Sequence, residues 1–194
     1  MKLGPNVNYP FYGDSAPWVS PSGLELYFSS WRPGGYGESD IYVTSRPTTS
    51  DSWGEAVNLG PVVNSAFQEF GPCLSPDGLL LFFSDDPWLG TPPRPGGYGS
   101  SDIWMARRAR LSAAWQTPVN LGPKVNSPMH DSLACQSADG LTLYFSTISS
   151  GGWPSWQAPI LLNCDLNSDG EVDEQDIQTL EEHWGQDYAM CDIG

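Results

Sequence analysis

Residues 74–84 read Leu-Ser-Pro-Asp-Gly-Leu-Leu-Leu-Phe-Phe-Ser, a polar turn followed by a short apolar run. Proline fixes φ near −65° and glycine tolerates positive φ, so the Ser-Pro-Asp-Gly segment predicts a tight hairpin turn. The apolar residues 79–83 predict a short β-strand that is buried on at least one face. This turn and strand are the unit from which the fold is predicted.

The same unit occurs three times in the chain. Residues 19–29 read Val-Ser-Pro-Ser-Gly-Leu-Glu-Leu-Tyr-Phe-Ser, and residues 136–146 read Gln-Ser-Ala-Asp-Gly-Leu-Thr-Leu-Tyr-Phe-Ser. The serines of successive turns are 55 and 62 residues apart, and the longer spacing contains an insertion around residues 86–92. This period corresponds to one four-stranded β-propeller blade with long loops.

Two further motifs recur in a fixed order within the period. Arg-Pro-Gly-Gly-Tyr-Gly occurs at residues 32–37 and 94–99, each time followed by Asp-Ile and an aromatic residue, and Leu-Gly-Pro-x-Val-Asn begins at Leu3, Leu59 and Leu121. The glycine-rich motif predicts a connection, and the residues after it predict a further strand. The segments after Trp53 and Trp115 predict a fourth strand in each unit. The fold is therefore predicted to be all-β: an incomplete β-propeller of two full four-stranded blades plus partial ones, with a small C-terminal calcium loop and helix.

The order of these motifs resembles the WD-like β-propeller repeat of the TolB type, which occurs in bacterial envelope and secreted proteins. The resemblance covers roughly residues 1–160 of a repeat domain that we place at residues 1–162. It implies a propeller used mainly as an interaction surface, sometimes as the non-catalytic partner of a hydrolase. Closed propellers have four to eight blades. Two full units are too few to close a ring. The chain is therefore predicted to be part of a longer product, to form an open array, or to self-associate through open blade edges.

Composition and charge exclude several classes of protein. The 21 Gly and 18 Pro are too many for a helical bundle, whereas nine Trp, eight Tyr and seven Phe argue against disorder. Eight basic against 23 acidic residues give a net charge of −15, so nucleic acid is not a predicted partner. No apolar run approaches the ~18 residues of a membrane span. Residues 1–6 carry no secretory signal, which predicts either a cytosolic protein or a missing true start; the resemblance implies a secreted or cell-envelope location.

A second domain is predicted at residues 163–194, which hold ten acidic and no basic residues. Residues 165–176 read Asp-Leu-Asn-Ser-Asp-Gly-Glu-Val-Asp-Glu-Gln-Asp. An EF-hand calcium loop takes oxygen ligands at its first, third, fifth, seventh, ninth and twelfth positions and has glycine at the sixth. The predicted ligands are Asp165, Asn167, Asp169, Glu171 through its backbone carbonyl, Asp173 through water, and Asp176. The alternative is a solvated acidic tail.

Asp176 stands where an EF-hand usually has a bidentate glutamate. Aspartate there, followed by Ile177, Leu180, Trp184 and Gly185, resembles the type I dockerin half-repeat of extracellular polysaccharide-degrading systems. The three apolar residues predict one face of a helix that ends at the glycine. The resemblance implies calcium as the cofactor and a cohesin-type partner. A dockerin has two halves, and a second half here would begin near the end of the sequence.

Four cysteines allow three pairings. Cys164 and Cys191 flank the predicted loop and helix and predict a disulfide that staples this small domain. Cys73 and Cys135 occupy the same place in two repeats and so lie on matching strands of neighbouring blades. We expect these two to be free buried thiols that act as small apolar residues.

Catalytic motifs are scarce. The sequence contains no Gly-x-Ser-x-Gly, no zinc-binding histidine pair and no phosphate-binding loop, and His130 and His183 are predicted to be solvated. Asp40 and Asp102 recur in register, which predicts a structural role in binding backbone N–H groups of the loops. Glycoside cleavage needs only two carboxylates, so a hydrolase remains the alternative function.

Aromatic residues in or beside the glycine- and proline-rich loops are the candidate ligand-binding residues: Trp31, Tyr36, Trp88, Tyr98 and Trp153. Exposed rings there would stack on sugars or grip a partner chain. Burial at the blade interfaces is the alternative, and we favour it for Tyr36 and Tyr98. The predicted function is a non-catalytic, secreted or envelope-associated propeller module that binds protein or polysaccharide and attaches through a calcium-binding tail. The alternative is part of an extracellular polysaccharide-degrading glycoside hydrolase.

Overall fold

The computed structural model describes residues 2–85, 94–148 and 152–160, in which eleven β-strands form three antiparallel sheets and no α-helix occurs. The strands are β1 (Asp14–Val19), β2 (Glu25–Ser30), β3 (Asp40–Ser45), β4 (Val57–Asn58), β5 (Glu69–Leu74), β6 (Leu80–Asp85), β7 (Ile103–Arg107), β8 (Val119–Asn120), β9 (Asp131–Gln136), β10 (Thr142–Thr147) and β11 (Ser155–Pro159). The all-β prediction is confirmed for these residues. None of them belongs to a helix long and apolar enough to cross a membrane. The predicted calcium loop, its helix, Cys164 and Cys191 lie outside the described ranges.

Each sheet is a meander in which strands that follow each other in the sequence are neighbours. Blade 1 contains β1 to β4, blade 2 contains β5 to β8, and blade 3 contains β9 to β11. The two full four-stranded blades predicted from the repeats are confirmed. Blade 3 has three strands in the described residues, and the sequence between Ser146 and Trp156 lacks the glycine-rich and Asp-Ile-aromatic motifs of the other two blades.

The predicted hairpin turn forms in the way that its sequence dictates. In blade 2 the N–H of Gly78 donates to the carbonyl of Ser75 (2.8 Å), and the Ser75 hydroxyl accepts from the N–H of Leu80 (2.8 Å). Gly78 has a φ of +72°, a conformation that a residue with a Cβ rarely adopts. Glycine is therefore required at this place, and it recurs there in all three copies of the turn.

The middle strands are buried on both faces because neighbouring blades pack against them. Leu81, Phe82 and Phe83 of β6 are all buried, although their side chains alternate between the two faces of the sheet. One cluster joins Tyr27 and Ile41 of blade 1 to Leu81 and Phe83 of blade 2. Complete burial of one such side chain contributes roughly 1.5–3 kcal/mol. The core therefore lies between blades as well as within them.

Successive blades are joined by the same backbone arrangement at both junctions. The N–H of Glu69 donates to the carbonyl of Ser39 (2.8 Å), and the N–H of Asp131 donates to the carbonyl of Ser101 (2.9 Å). The two serine hydroxyls donate in return to the carbonyls of the same acidic residues. A short parallel bridge thus passes from the start of the third strand of one blade to the first strand of the next.

The prediction of free thiols at Cys73 and Cys135 is wrong, because these two residues form a disulfide. Cys73 lies in β5 and Cys135 lies in β9, and the two first strands pack against each other. Their Cα atoms are 5.4 Å apart, within the range that a disulfide needs. The bond links blade 2 to blade 3 across a sequence separation of 62 residues.

Candidate functional site

Asp40 and Asp102 organise the glycine-rich loops of blades 1 and 2. The carboxylate of Asp40 accepts hydrogen bonds from the N–H groups of Tyr36 (2.7 Å) and Gly37 (3.2 Å). Asp102 accepts from the N–H of Tyr98 in the same way (2.5 Å). The predicted structural role of both aspartates is confirmed.

The same bonds explain why the burial favoured for Tyr36 and Tyr98 is wrong. The backbone N–H of each tyrosine faces the buried aspartate, while the ring projects from the loop. The side chains are 51% and 54% exposed. Both tyrosines are therefore available to a ligand.

An arginine follows the second strand in blades 1 and 2 and packs on aromatic rings. In blade 1 the guanidinium of Arg32 donates to the carbonyl of Val7 (2.7 Å) and to the carboxylate of Asp14 (2.8 Å). Its central carbon lies 5.1 Å from the ring centre of Phe28 and 4.7 Å from that of Tyr42. A planar cation between aromatic faces and anionic or carbonyl oxygens is a favourable arrangement.

Arg94 repeats this arrangement in blade 2. It donates to the carbonyl of Val63 (3.0 Å) and lies 3.6 Å from the carboxylate of Glu69. Its central carbon lies 5.8 Å from the ring centre of Phe83 and 5.1 Å from that of Trp104. Burial lowers the pKa of the guanidinium. The arginine therefore covers aromatic residues of the second and third strands in each full blade.

Blade 3 has an open groove at the corresponding place. The cavity has a volume of about 400 Å³, and we call it the blade-3 groove. It is lined by Tyr98, Val125, Ser127, Phe145, Thr147 and Trp156, with the exposed Lys124 beside them. Trp156 is 53% exposed, whereas Trp104 at the matching place in blade 2 is 5% exposed. The groove thus exposes the ring of Trp156, whose counterparts in blades 1 and 2, Tyr42 and Trp104, are buried.

Blade 2 contains a pair of buried acidic residues, Glu69 and Asp85. Glu69 and Asp85 face each other across β5 and β6, where blade 1 pairs Asp14 with Ser30. Burial raises the pKa of Glu69 to about 7 and that of Asp85 to about 6. Asp85 accepts hydrogen bonds from the N–H groups of Arg94 and Asp102. Neither side chain is accessible to a sugar, so this pair supports the fold.

The remaining predicted residues have different surroundings. Trp31 is half-buried, with its ring centre 6.3 Å from that of Phe70, and it does not line the blade-3 groove. His130 is half-buried and shares a hydrogen bond with Ser100 (3.2 Å), so its prediction as a solvated residue is wrong. Trp88 lies outside the described residues. Of the candidate ligand-binding residues that the structure describes, Tyr98 alone lines the groove.

Metal ligands are not found together in the part of the chain that the structure describes. No group of three or more His, Cys, Asp or Glu there is arranged to hold an ion. All six predicted calcium ligands, from Asp165 to Asp176, lie outside the described residues. The calcium site therefore stays a prediction from the sequence.

Phe145 and Trp156 are groove residues that the sequence analysis missed. Phe145 could have been found, because it aligns with Phe28 and Phe83 in the repeated unit. Trp156 could not, because blade 3 lacks the Asp-Ile-aromatic motif that would mark its place. The backbone bond from Thr147 N–H to Pro154 (3.3 Å) matches that from Asp85 to Asp102 and gives Trp156 the place of Trp104.

Comparisons with known proteins give a likeness of fold. No protein-family model matches the sequence, and no curated protein matches it. An α-L-arabinofuranosidase from Lactobacillus brevis is 13% identical over 80% of this chain and 54% of its own, with a TM-score of 0.52. A TolB-type protein from Agrobacterium tumefaciens is 18% identical over 73% of this chain and 41% of its own, with a TM-score of 0.48. The chain thus spans about half the length of these structures or less. Together with the three stacked blades, the likeness to the first shows that the described residues have a β-propeller fold.

Proposed function

We propose that this chain is a non-catalytic β-propeller module that binds a protein or polysaccharide in the blade-3 groove. The observation that carries the proposal is the exposure of Trp156 and Tyr98 beside a cavity of about 400 Å³. Exposed aromatic residues around a concave surface favour binding, because they offer a large apolar area and lose little side-chain entropy. The residues that match Trp156 in blades 1 and 2, Tyr42 and Trp104, are buried beneath an arginine.

The net charge of the chain indicates which ligands the groove would favour. Eight basic against 23 acidic residues give the chain a negative field that repels acidic polysaccharides and favours basic or uncharged ligands. The proposal therefore concerns neutral polysaccharides and basic protein segments.

Replacing Trp156 by alanine is expected to weaken binding at least about tenfold, because central aromatic contacts of an interface are worth more than about 1.4 kcal/mol. The measurement is binding of the intact chain to arrays of neutral glycans and of peptides, followed by titration of each hit. Trp153→Ala is the matched control, because Trp153 is 58% exposed but does not line the groove. Hits that both variants retain equally would contradict the proposal.

The alternative of a glycoside hydrolase gains no support from Glu69 and Asp85, which are buried and bonded within the blade. Incubation with the same polysaccharides tests it directly. Reproducible release of product, lost on replacement of one exposed acidic residue, would overturn a non-catalytic module.

The calcium-binding tail is part of the same proposal. Every ligand position of the loop at residues 165–176 carries an oxygen donor, as hard cations such as Ca²⁺ prefer. The ion would neutralise part of a segment that has ten acidic and no basic residues. A secreted or envelope location is supported by the Cys73–Cys135 disulfide, since such bonds persist mainly in oxidising compartments.

Calorimetric titration of the metal-free chain with calcium is expected to show one site. Asp165→Ala and Asp169→Ala should each weaken it at least about tenfold, because each removes a charged ligand of the loop. Glu55→Ala removes an exposed acidic residue of blade 1 and serves as the control. No binding, or equal binding by all three variants, would contradict the calcium loop.

A further inference from the structure

We infer that the blade-3 groove binds a guanidinium group and that its occupant is an arginine side chain of a protein partner. This inference rests on the proposed function of the groove as a binding site. It goes further by naming the ligand chemistry and by choosing protein over polysaccharide.

Blades 1 and 2 show which group occupies the site that corresponds to the blade-3 groove. In blade 1 it is filled by Arg32 and in blade 2 by Arg94. Both guanidinium groups lie over the aromatic residues at the same two repeat positions, with Tyr9 as a third ring beside Arg32, and both donate to the carbonyl of a valine in the Leu-Gly-Pro-x-Val-Asn motif. Because blades 1 and 2 both hold a guanidinium at this site, we expect the equivalent site in blade 3 to bind a guanidinium as well.

Blade 3 retains the partners of the missing cation. The valine of the motif is Val125, the aromatic pair is Phe145 and Trp156, and the acidic residue at the start of the first strand is Asp131. The Asp131 carboxylate accepts from the hydroxyl of Thr147 (2.5 Å). In blade 1 the same oxygen of Asp14 accepts from both the Ser30 hydroxyl (2.6 Å) and the Arg32 guanidinium. A hydroxyl donor to Asp131 is therefore compatible with a guanidinium.

The structure places no arginine of this chain in the groove. Residues 132–194 contain neither arginine nor lysine, and neither does the insertion at residues 86–93. Lys124 is the basic residue beside the groove, and it is exposed. No described arginine lines the groove, and Arg46, Arg107 and Arg108 are bonded within blades 1 and 2. We therefore assign the guanidinium to a partner.

The choice of arginine over lysine follows from shape. A planar guanidinium stacks on two rings while its edge donates to a carbonyl, whereas an ammonium is a strongly hydrated point charge. Because neutral sugars carry no cation, they would use the aromatic faces and form no ion pair with Asp131, whose carboxylate already accepts from Thr147 and Ser127. A basic peptide also suits the net charge of −15.

The experiment is a titration of the full chain with N-acetyl-arginine methylamide and with its lysine and citrulline counterparts, followed by the indole N–H resonance of Trp156. The resonance is assigned by its loss in Trp156→Phe. We expect saturable binding of the arginine compound at least tenfold tighter than that of citrulline, which keeps the shape and lacks the charge. Trp156→Ala, which lacks the reporter resonance and is therefore titrated by calorimetry, should show no binding, and Trp153→Ala should bind as the wild type does. Lys124→Ala should strengthen the binding, because the variant removes a like charge beside the groove.

Equal binding of arginine and citrulline, or no binding of either, would overturn the inference. If neutral glycans or peptides without arginine then bind and lose their affinity in Trp156→Ala, the proposed function stands although the inference fails. If no ligand responds to Trp156→Ala, both fail. Thermal unfolding of each variant establishes that the exposed substitutions leave the fold intact.

Discussion

Removal of the Cys73–Cys135 disulfide is expected to lower the free energy of unfolding by about 4 kcal/mol, which follows from the loop of 62 residues that the bond closes. Free energies of unfolding are typically about 5–15 kcal/mol, so this loss is a large fraction of the total. The measurement is denaturant unfolding of the wild type, of Cys73→Ala, of Cys135→Ala and of the double variant, with and without reductant.

The design separates a disulfide from two free thiols. If the bond exists, each single variant loses nearly as much as the double variant, because either change removes the same crosslink. The double variant also controls for the reductant, since any remaining effect then reports on Cys164 and Cys191. Small losses that add between the two sites would instead support the free thiols predicted from the sequence.

Asn64→Ala is expected to destabilise the chain by about 1–3 kcal/mol. The Asn64 side chain accepts from the N–H of Ile41 (2.9 Å), donates to the carbonyl of Ile41 (3.0 Å) and donates to the side chain of Asn58 (2.8 Å). Alanine leaves the buried N–H of Ile41 without a partner, which costs about 1–3 kcal/mol. The carbonyl of Ile41 still accepts from the N–H of Leu59 (3.1 Å). Asn64 lies in the linker to blade 2, so its loss weakens the hold of that linker on β3.

Asn8→Ala is the matched control, because Asn8 is the asparagine of the first copy of the motif. Its side chain donates to the carbonyl of Leu3 (2.6 Å) in an exposed setting. We expect it to lose no more than about 1 kcal/mol in the same denaturant experiment. Equal losses for the two variants would show that burial of the Ile41 backbone is not the cause.

The parts of the fold that depend on neighbouring residues could be predicted from the sequence. The turn at Gly78 and the strands of blades 1 and 2 follow from local conformational preferences and from apolar runs that recur with the period. The role of Asp40 could also be predicted, since a recurring acidic residue next to a glycine-rich loop has a local partner. These features need no knowledge of how blades stack.

The features that were missed depend on distances between blades. Cys73 and Cys135 are 62 residues apart, and only the stacking of β5 on β9 brings their Cα atoms to 5.4 Å. The blade-3 groove was missed for another reason: its signal is an arginine that blade 3 lacks. Comparison of the repeats reveals motifs that are present in each copy. It does not reveal a site that an arginine occupies in two blades and that is open in the third.

The parallel bridges between blades have a consequence for cooperativity. Within the described residues, each blade bonds only to its neighbour along the chain, so the free energy of these blades is approximately the sum of three intrinsic terms and two nearest-neighbour coupling terms. Blade 2 takes part in both couplings, whereas blades 1 and 3 each take part in one. Unfolding of blade 1 or of blade 3 therefore breaks one coupling, whereas unfolding of blade 2 breaks both.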